Sequence, residues 1–346
     1  MRDGRRTVTA NNMKGQSMST TWFGRSAAPW LVVLLLAAAA GTACSPGGGT
    51  GSAPVVKLAF VTNNASEFWK IAAAGVRKYE AEGRVQVDVK MPPNGTPEEQ
   101  NQIVENLASQ GYQAIAVSAV APNDQVPMLN RVAAKTALIT FDSDAPASNR
   151  LLYIGTNNYE AGRVLGGEIV KLLPSGGNMA VFVGTLSADN AAQRFKGIED
   201  AVATHKIVVV DRREDGTDRA KARSNVEDIV NAHRDLDLVA GLWSYNGPAI
   251  AAAIESLGRK GKVLAAVFDE EAGTLQAIAN GTIAVTVVQK PFEFGYLASK
   301  WMHELATKGD AARAAIPPNK MIDTGVQVIT KDNVAEFSKQ LAALTQ

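Results

Sequence analysis

One cysteine among 346 residues leaves no partner for an intramolecular disulfide and excludes a Cys-rich zinc site. The three histidines, at 205, 233 and 303, stand too far apart in sequence to suggest a metal-ligating pair. A surplus of one charge sign is missing too. With 35 basic residues against 34 acidic ones, nothing offers the clustered Lys and Arg of a nucleic-acid surface. There is no G-x-S-x-G nucleophile elbow and no G-x-x-x-x-G-K-[ST] phosphate loop. Nothing in the chain calls for a cofactor. What is present is apolar material, 46% of all residues, enough for a large core.

Long hydrophobic runs are equally scarce, and the longest lies near the start. Arg2, Arg5, Arg6, Lys14 and Arg25 precede an apolar stretch from Trp30 to Ala40. Eleven residues are too few for a spanning helix, which takes about 20, but they suit the core of a signal peptide. Gly41-Thr42-Ala43 and then Cys44 follow. A cysteine directly after small residues resembles a bacterial lipobox, although Gly41 stands where that motif usually carries Leu. The resemblance implies a signal peptide over 1–43, lipidation of Cys44 and a Gly/Ser tether over 44–54 that joins the domain to a membrane. Without residues 1–43 the chain carries 30 basic and 33 acidic residues, so the exported form is mildly acidic.

From Val55 onward short β-branched runs alternate with amphipathic stretches. Candidate strands are 55–62, 85–89, 114–118, 137–141, 178–184, 207–211, 236–243, 262–268 and 283–288. Most are continuously apolar, as parallel strands covered on both faces are. Phe68, Ile71, Ala72, Val76 and Tyr79 recur at helical spacing. Thr96 with Glu99 three residues later, and Pro97 between them, predicts a capping box, with Gly111 ending that helix. Strand–helix alternation over some 290 residues predicts α/β structure, and a chain this long exceeds one comfortable core. Two doubly wound parallel-sheet lobes are expected.

Open parallel sheets bind ligands beyond the carboxyl ends of their strands. At those positions stand Asn64, Ser66, Phe68 and Trp69; Asp142; Asn190 and Arg194; Asn246; Asp269; and Gln289. Carboxylates and amides bond in pairs to hydroxyl groups, and flat rings cover the C–H faces of a sugar. A polyhydroxyl ligand fits this mixture. Each residue also has a plainer reading. Phe68 and Trp69 open a helix, where apolar residues are usually core. Asp142 suits a turn, Asn246 a helix cap, and Arg194 a surface ion pair with Glu199 or Asp200.

The order of aromatic pair, Asp, Arg, Asn, Asp and Gln at successive strand ends resembles the ribose-type periplasmic sugar-binding proteins over Val55–Val328. The resemblance implies a three-strand hinge, with crossings near 156–158, 289–291 and 323–325. One lobe would hold 55–156 with 291–323, and the other 157–290 with 324–346. It implies that Phe68, Trp69 and Asp142 bind from the first lobe, and that Arg194, Asn246, Asp269 and Gln289 bind from the second lobe and hinge. Ser66 and Thr217 depart from the ribose-binding pattern, and 117–122 with 141–144 look closer to receptors for rhamnose or autoinducer-2. The partners implied are a monosaccharide or polyol, an ABC permease with its ATPase, and a membrane reached through the N-terminal lipid. No nucleic acid or metal is expected, and the chain is expected to be a monomer. The alternative on the same fold is a receptor that signals rather than imports. A glycosidase built on Asp142 and Asp269 has no support beyond the presence of two acids.

Overall fold

The computed structural model describes residues 56–345, so the expected signal peptide, Cys44 and the tether lie outside the described residues. Two six-stranded sheets organise the rest. The first contains β1 (Leu58–Val61), β2 (Val87–Lys90), β3 (Ala114–Val117), β4 (Ala137–Phe141), β5 (Tyr153–Gly155) and β11 (Met321–Asp323). Its order is β11-β5-β4-β3-β1-β2, parallel throughout. The second contains β6 (Gly177–Val183), β7 (Ile207–Glu214), β8 (Leu236–Gly241), β9 (Leu264–Phe268), β10 (Val285–Val288) and β12 (Gln327–Thr330). Its order is β12-β10-β9-β8-β6-β7, with only β12 antiparallel to its neighbour. The α/β class and the two doubly wound sheets are as the alternation of runs predicts.

Alternate residues of each central strand enter different cores, which is why these strands are apolar at every position. Leu58 and Phe60 of β1 pack with α1 (Glu67–Gly83) and α9 (Pro291–Lys308). Ala59 and Val61 turn to the other side, against α2 (Pro97–Ser109) and α3 (Val126–Ala133). In the second sheet Met179, Val181 and Val183 face α4 (Asn158–Leu172) and α5 (Asp189–Val202). Ala180 and Phe182 face α6 (Arg219–Ala232), α7 (Asn246–Ser256) and α8 (Ala272–Asn280). The short α10 (Asp310–Ala314) follows α9, and α11 (Val334–Thr345) follows β12.

The chain changes sheet three times: between β5 and α4, between β10 and α9, and between β11 and β12. Strands β5, β11 and β12 were not anticipated from sequence. They are three or four residues long, too short to show a period, and pairing near a sheet edge is what makes them strands. Helix α2 starts where predicted, with Thr96 Oγ1 accepting from the Glu99 N–H at 3.3 Å. The Glu99 carboxylate closes the motif differently from a capping box, accepting from the Asn94 N–H at 3.0 Å.

Candidate functional site

A cleft of about 890 Å³ opens between the carboxyl ends of the two sheets. Its walls come from the loops after β1, β4, β6, β8 and β9 and from the crossing after β10, where the rule for open sheets puts ligands. Asn64, Ser66, Phe68, Trp69, Asp142, Asn190, Arg194, Asp269 and Gln289 all line it.

Two aspartates form its polar ends. Asp142 directly follows β4 and Asp269 directly follows β9, and both hold left-handed backbone, φ 56° and 68°. Aspartate tolerates that region better than most residues with a Cβ. Asp142 accepts a hydrogen bond from Ser118 Oγ at 3.0 Å and is otherwise turned to the cleft. Loss of water pushes its pKa from 3.8 up to about 6, against the lowering effects of Ser118 and Arg194. Asp269 is buried, and desolvation raises its pKa as well, opposed by Arg194 and by Gln289. Gln289 Nε2 donates to Asp269 Oδ1 at 3.0 Å.

Arg194 makes no surface pair with Glu199 or Asp200. It is buried, with Nε donating to Asn158 Oδ1 at 2.9 Å and Nη1 to the Leu242 carbonyl at 2.7 Å. Its guanidinium lies 4.4 Å from the centre of the Phe268 ring and 3.8 Å from Asp269 Oδ2. Packing on a ring face while bonding in its own plane is available to Arg and not to Lys. Backbone proximity makes this possible. A Cβ on Gly162 of α4 would stand 2.1 Å from the Arg194 carbonyl oxygen, so only glycine lets α4 come this close to α5.

The adjacent aromatics divide their work. Trp69 is only 2% exposed, packs edge-on against Phe141, and donates Nε1 to Asn63 Oδ1 at 3.0 Å. Phe68 is half-buried and meets Trp69 edge-on with centroids 4.9 Å apart. Asn64 and Ser66 are exposed at the rim. Ser66 precedes α1 without using its side chain as a cap.

Asn246 requires correction. It does not line the cleft; it is fully buried, and both ends of its amide are engaged. Oδ1 accepts from the Trp243 N–H at 3.0 Å, and Nδ2 donates to Asp215 Oδ2 at 3.2 Å. Asn246 thus fixes the 243–246 turn from beneath. Sequence reasoning missed what that turn presents. Trp243 is half-buried in the cleft wall and donates Nε1 to Asn190 Oδ1 at 3.2 Å. Its ring packs where a Cβ on Gly184 would lie 2.1 Å away. The signal was a Trp at the end of an apolar run, read as the last strand residue. Asn158, Asp215 and Tyr245 were missed as well. The hydroxyl of Tyr245 donates to buried Asp215, which also accepts the Thr217 N–H at 2.8 Å.

Carboxylates at two ends, a fixed Arg and rings on both walls make a binding cleft. Among the described residues no group of three His, Cys, Asp or Glu side chains is placed to hold a metal, and no helix is long and apolar enough to cross a membrane.

Comparison with known proteins agrees with that geometry. The profile of the periplasmic binding protein domain matches residues 58–311. The chain belongs to this family. Among relatives, it is 26% identical over 253 residues to the xylose/arabinose-binding protein XylF of Sulfolobus acidocaldarius, covering 68% of this chain and 60% of that protein. It is 26% identical over 219 residues to the ribose import binding protein RbsB of Salmonella typhimurium, covering 62% of this chain and 72% of that one. The chain therefore spans about 60% of the length of the Sulfolobus relative. Among solved structures, an ABC transporter solute-binding protein from Burkholderia graminis in complex with D-arabinose has 32% identity and a TM-score of 0.74. That match covers 80% of this chain and 96% of the other. GanP, a glucose-galactose binding protein from Geobacillus stearothermophilus, has 28% identity and a TM-score of 0.74 over 81% of this chain and 98% of its own. As a member of this periplasmic binding protein family, the protein is a solute-binding protein and not an enzyme.

Proposed function

We propose that this solute-binding protein captures a monosaccharide, an aldopentose or a close relative, by closing two lobes over it for delivery to an ABC permease and its ATPase. The observation that carries this reading is the pairing of Asp142 and Asp269 at the ends of two different sheets, facing one cleft. Each carboxylate has acceptor capacity left for ligand hydroxyls, and Phe68 and Trp243 offer apolar surface to a C–H face. The names of the relatives, binders of arabinose, xylose and ribose, support the substrate class.

In this reading Phe68, Trp69 and Asp142 receive the sugar on a lobe of residues 55–156 and 291–323. Arg194, Asp269 and Gln289 complete the bonds from the hinge and from a lobe of residues 157–290 and 324–346. Asn64, Ser66 and Asn190 contribute at the rim, and Asn246 acts only by holding the Trp243 turn. Ligand drives closure by binding the closed arrangement more tightly than the open one. The protein works as a monomer, exported by residues 1–43 and anchored through Cys44.

A thermal-shift screen against aldopentoses, hexoses, polyols and nucleosides tests the class. A sugar at a hundred times its Kd stabilises the protein by about 2.7 kcal/mol and raises Tm by a few degrees. Shifts confined to nucleosides overturn the sugar assignment. Globomycin treatment or Cys44→Ser is expected to release the protein from membranes, and unchanged membrane retention rejects the anchor.

A further inference from the structure

Asp269 and Glu270 are neighbours, yet they face different cavities. Asp269 lines the sugar cleft, whereas Glu270 lines a second cavity of about 350 Å³ beside the crossing after β10. That cavity is walled by Ile71 of α1, by Phe292 at the start of α9, and by Phe337 and Leu344 of α11. Elements tied to both sheets meet there. Glu270 is 92% removed from solvent by its 8% exposure, and its Oε2 has no hydrogen-bond partner.

A buried carboxylate oxygen without a donor is costly, and native proteins seldom leave one unless something else supplies the donor. The nearby cation does not supply it. Lys290 also borders the cavity, but its Nζ lies beside Gly325 on the third crossing, about 3.8 Å from where a Cβ on that glycine would stand. Glu293 adds a second carboxylate to the lining. Two acids against one lysine, set among apolar walls, favour a cationic head on a short hydrocarbon body.

We propose that this cavity behind the hinge is a second binding site, which takes a small alkylammonium ion with its ammonium on Glu270 and its chain against Ile71, Phe292 and Phe337. Gln289 lines both cavities and donates to Asp269, so occupancy here is felt at the sugar cleft.

The test is titration of the purified protein, free of sugar, with n-butylammonium chloride, followed by saturation-transfer NMR and calorimetry. n-Butanol and sodium chloride serve as controls. Saturable binding is expected, weakened about tenfold or more for n-butanol, which has the chain without the charge. Glu270→Gln is expected to lose about as much. Leu344→Trp, at a partly exposed rim position that tolerates bulk, is expected to block entry even if the Glu270 variant fails to fold. Absence of saturable binding, equal binding of n-butanol, or full retention in a folded Glu270→Gln or Leu344→Trp protein overturns the site. The coupling rests on the sugar reading: the Kd for D-arabinose is expected to change about fivefold or more with saturating n-butylammonium. An unchanged Kd removes the coupling. D-arabinose titrated alone reports on the cleft and n-butylammonium alone on this cavity, so the two readings fail separately.

Discussion

The two lobes solve one problem with different chemistry. In each, a Phe ends a strand and an Asp in left-handed backbone follows it: Phe141-Asp142 after β4, Phe268-Asp269 after β9. In each, the aspartate N–H donates to the neighbouring strand, Asp142 to the Ile154 carbonyl at 3.1 Å and Asp269 to that of Val287 at 3.0 Å. The residue before that partner then returns a hydroxyl to the aspartate carbonyl. Tyr153 does so at 2.9 Å and Thr286 at 2.7 Å. The strained backbone is thus fastened in the same register twice. The side chains diverge. Asp269 has Arg194 at 3.8 Å and accepts from Gln289, while Asp142 accepts from a serine hydroxyl and feels Arg194 only beyond ion-pair distance. One carboxylate is built into its lobe; the other keeps acceptor capacity open to the cleft at the expense of stability.

The largest test strikes what both lobes share, close helix packing. A Cβ on Gly162 would stand 2.1 Å from the Arg194 carbonyl oxygen, and one on Gly75 would stand 1.9 Å from that of Phe292. Gly162→Leu and Gly75→Leu are each expected to cost about 3 kcal/mol or more in urea unfolding. A loss confined to one of them would show that the lobes do not depend on this packing equally.

The aspartates should then part company. Asp269→Asn leaves buried Arg194 without its close anion, with Asp142 acting on it only beyond ion-pair distance, and is expected to destabilise the ligand-free protein by about 2 kcal/mol. That is below the usual cost of an orphaned buried charge, because Asn158 and the Leu242 carbonyl still bind the guanidinium. Asp142→Asn is expected to stabilise it at neutral pH, by on the order of 1–3 kcal/mol, since a carboxylate held with little water is removed. Both should weaken sugar binding roughly ten- to a hundredfold. Equal signs of stability change in paired calorimetric melts would erase the contrast.

The pH dependence sharpens it. Asp142 holds its proton more tightly folded than unfolded, so its stabilising contribution is complete below 3.8 and is lost as pH rises to about 6. The stability difference between Asp142→Asn and the parent should therefore grow in favour of the variant across that window and level off above it. A flat difference would mean that Asp142 is better solvated than its position indicates. The smallest effects belong to the fasteners. Thr286→Val and Tyr153→Phe are each expected to cost about 1 kcal/mol and a modest part of the sugar affinity. Thr286→Ser should restore what Thr286→Val loses, and a Ser variant no better than Val would deny the hydroxyl its role.

Much of this was legible before any coordinates. Continuous apolar runs such as Ala114–Val117 and Ala137–Phe141 announce strands covered on both sides, because local period and burial are properties of consecutive residues. Strand ends could be located in the same way, and with them Phe68, Asp142, Arg194, Asp269 and Gln289 as cleft residues. Asn246 was misread because a turn residue and a ligand-facing residue look alike at a strand end. Which way its amide points depends on Asp215, 31 residues earlier. Trp243 was overlooked because its exposure is decided by Gly184 and Asn190, not by its neighbours in the chain. Consecutive residues alone set the alternation of elements, the apolar strands and the acids that follow two of them. Long-range packing settled that those acids share one cleft, that Arg194 pairs closely with one and acts on the other only from farther away, and that Glu270 opens onto a separate cavity. These are relations between residues far apart in sequence, and three crossings between two sheets bring them together.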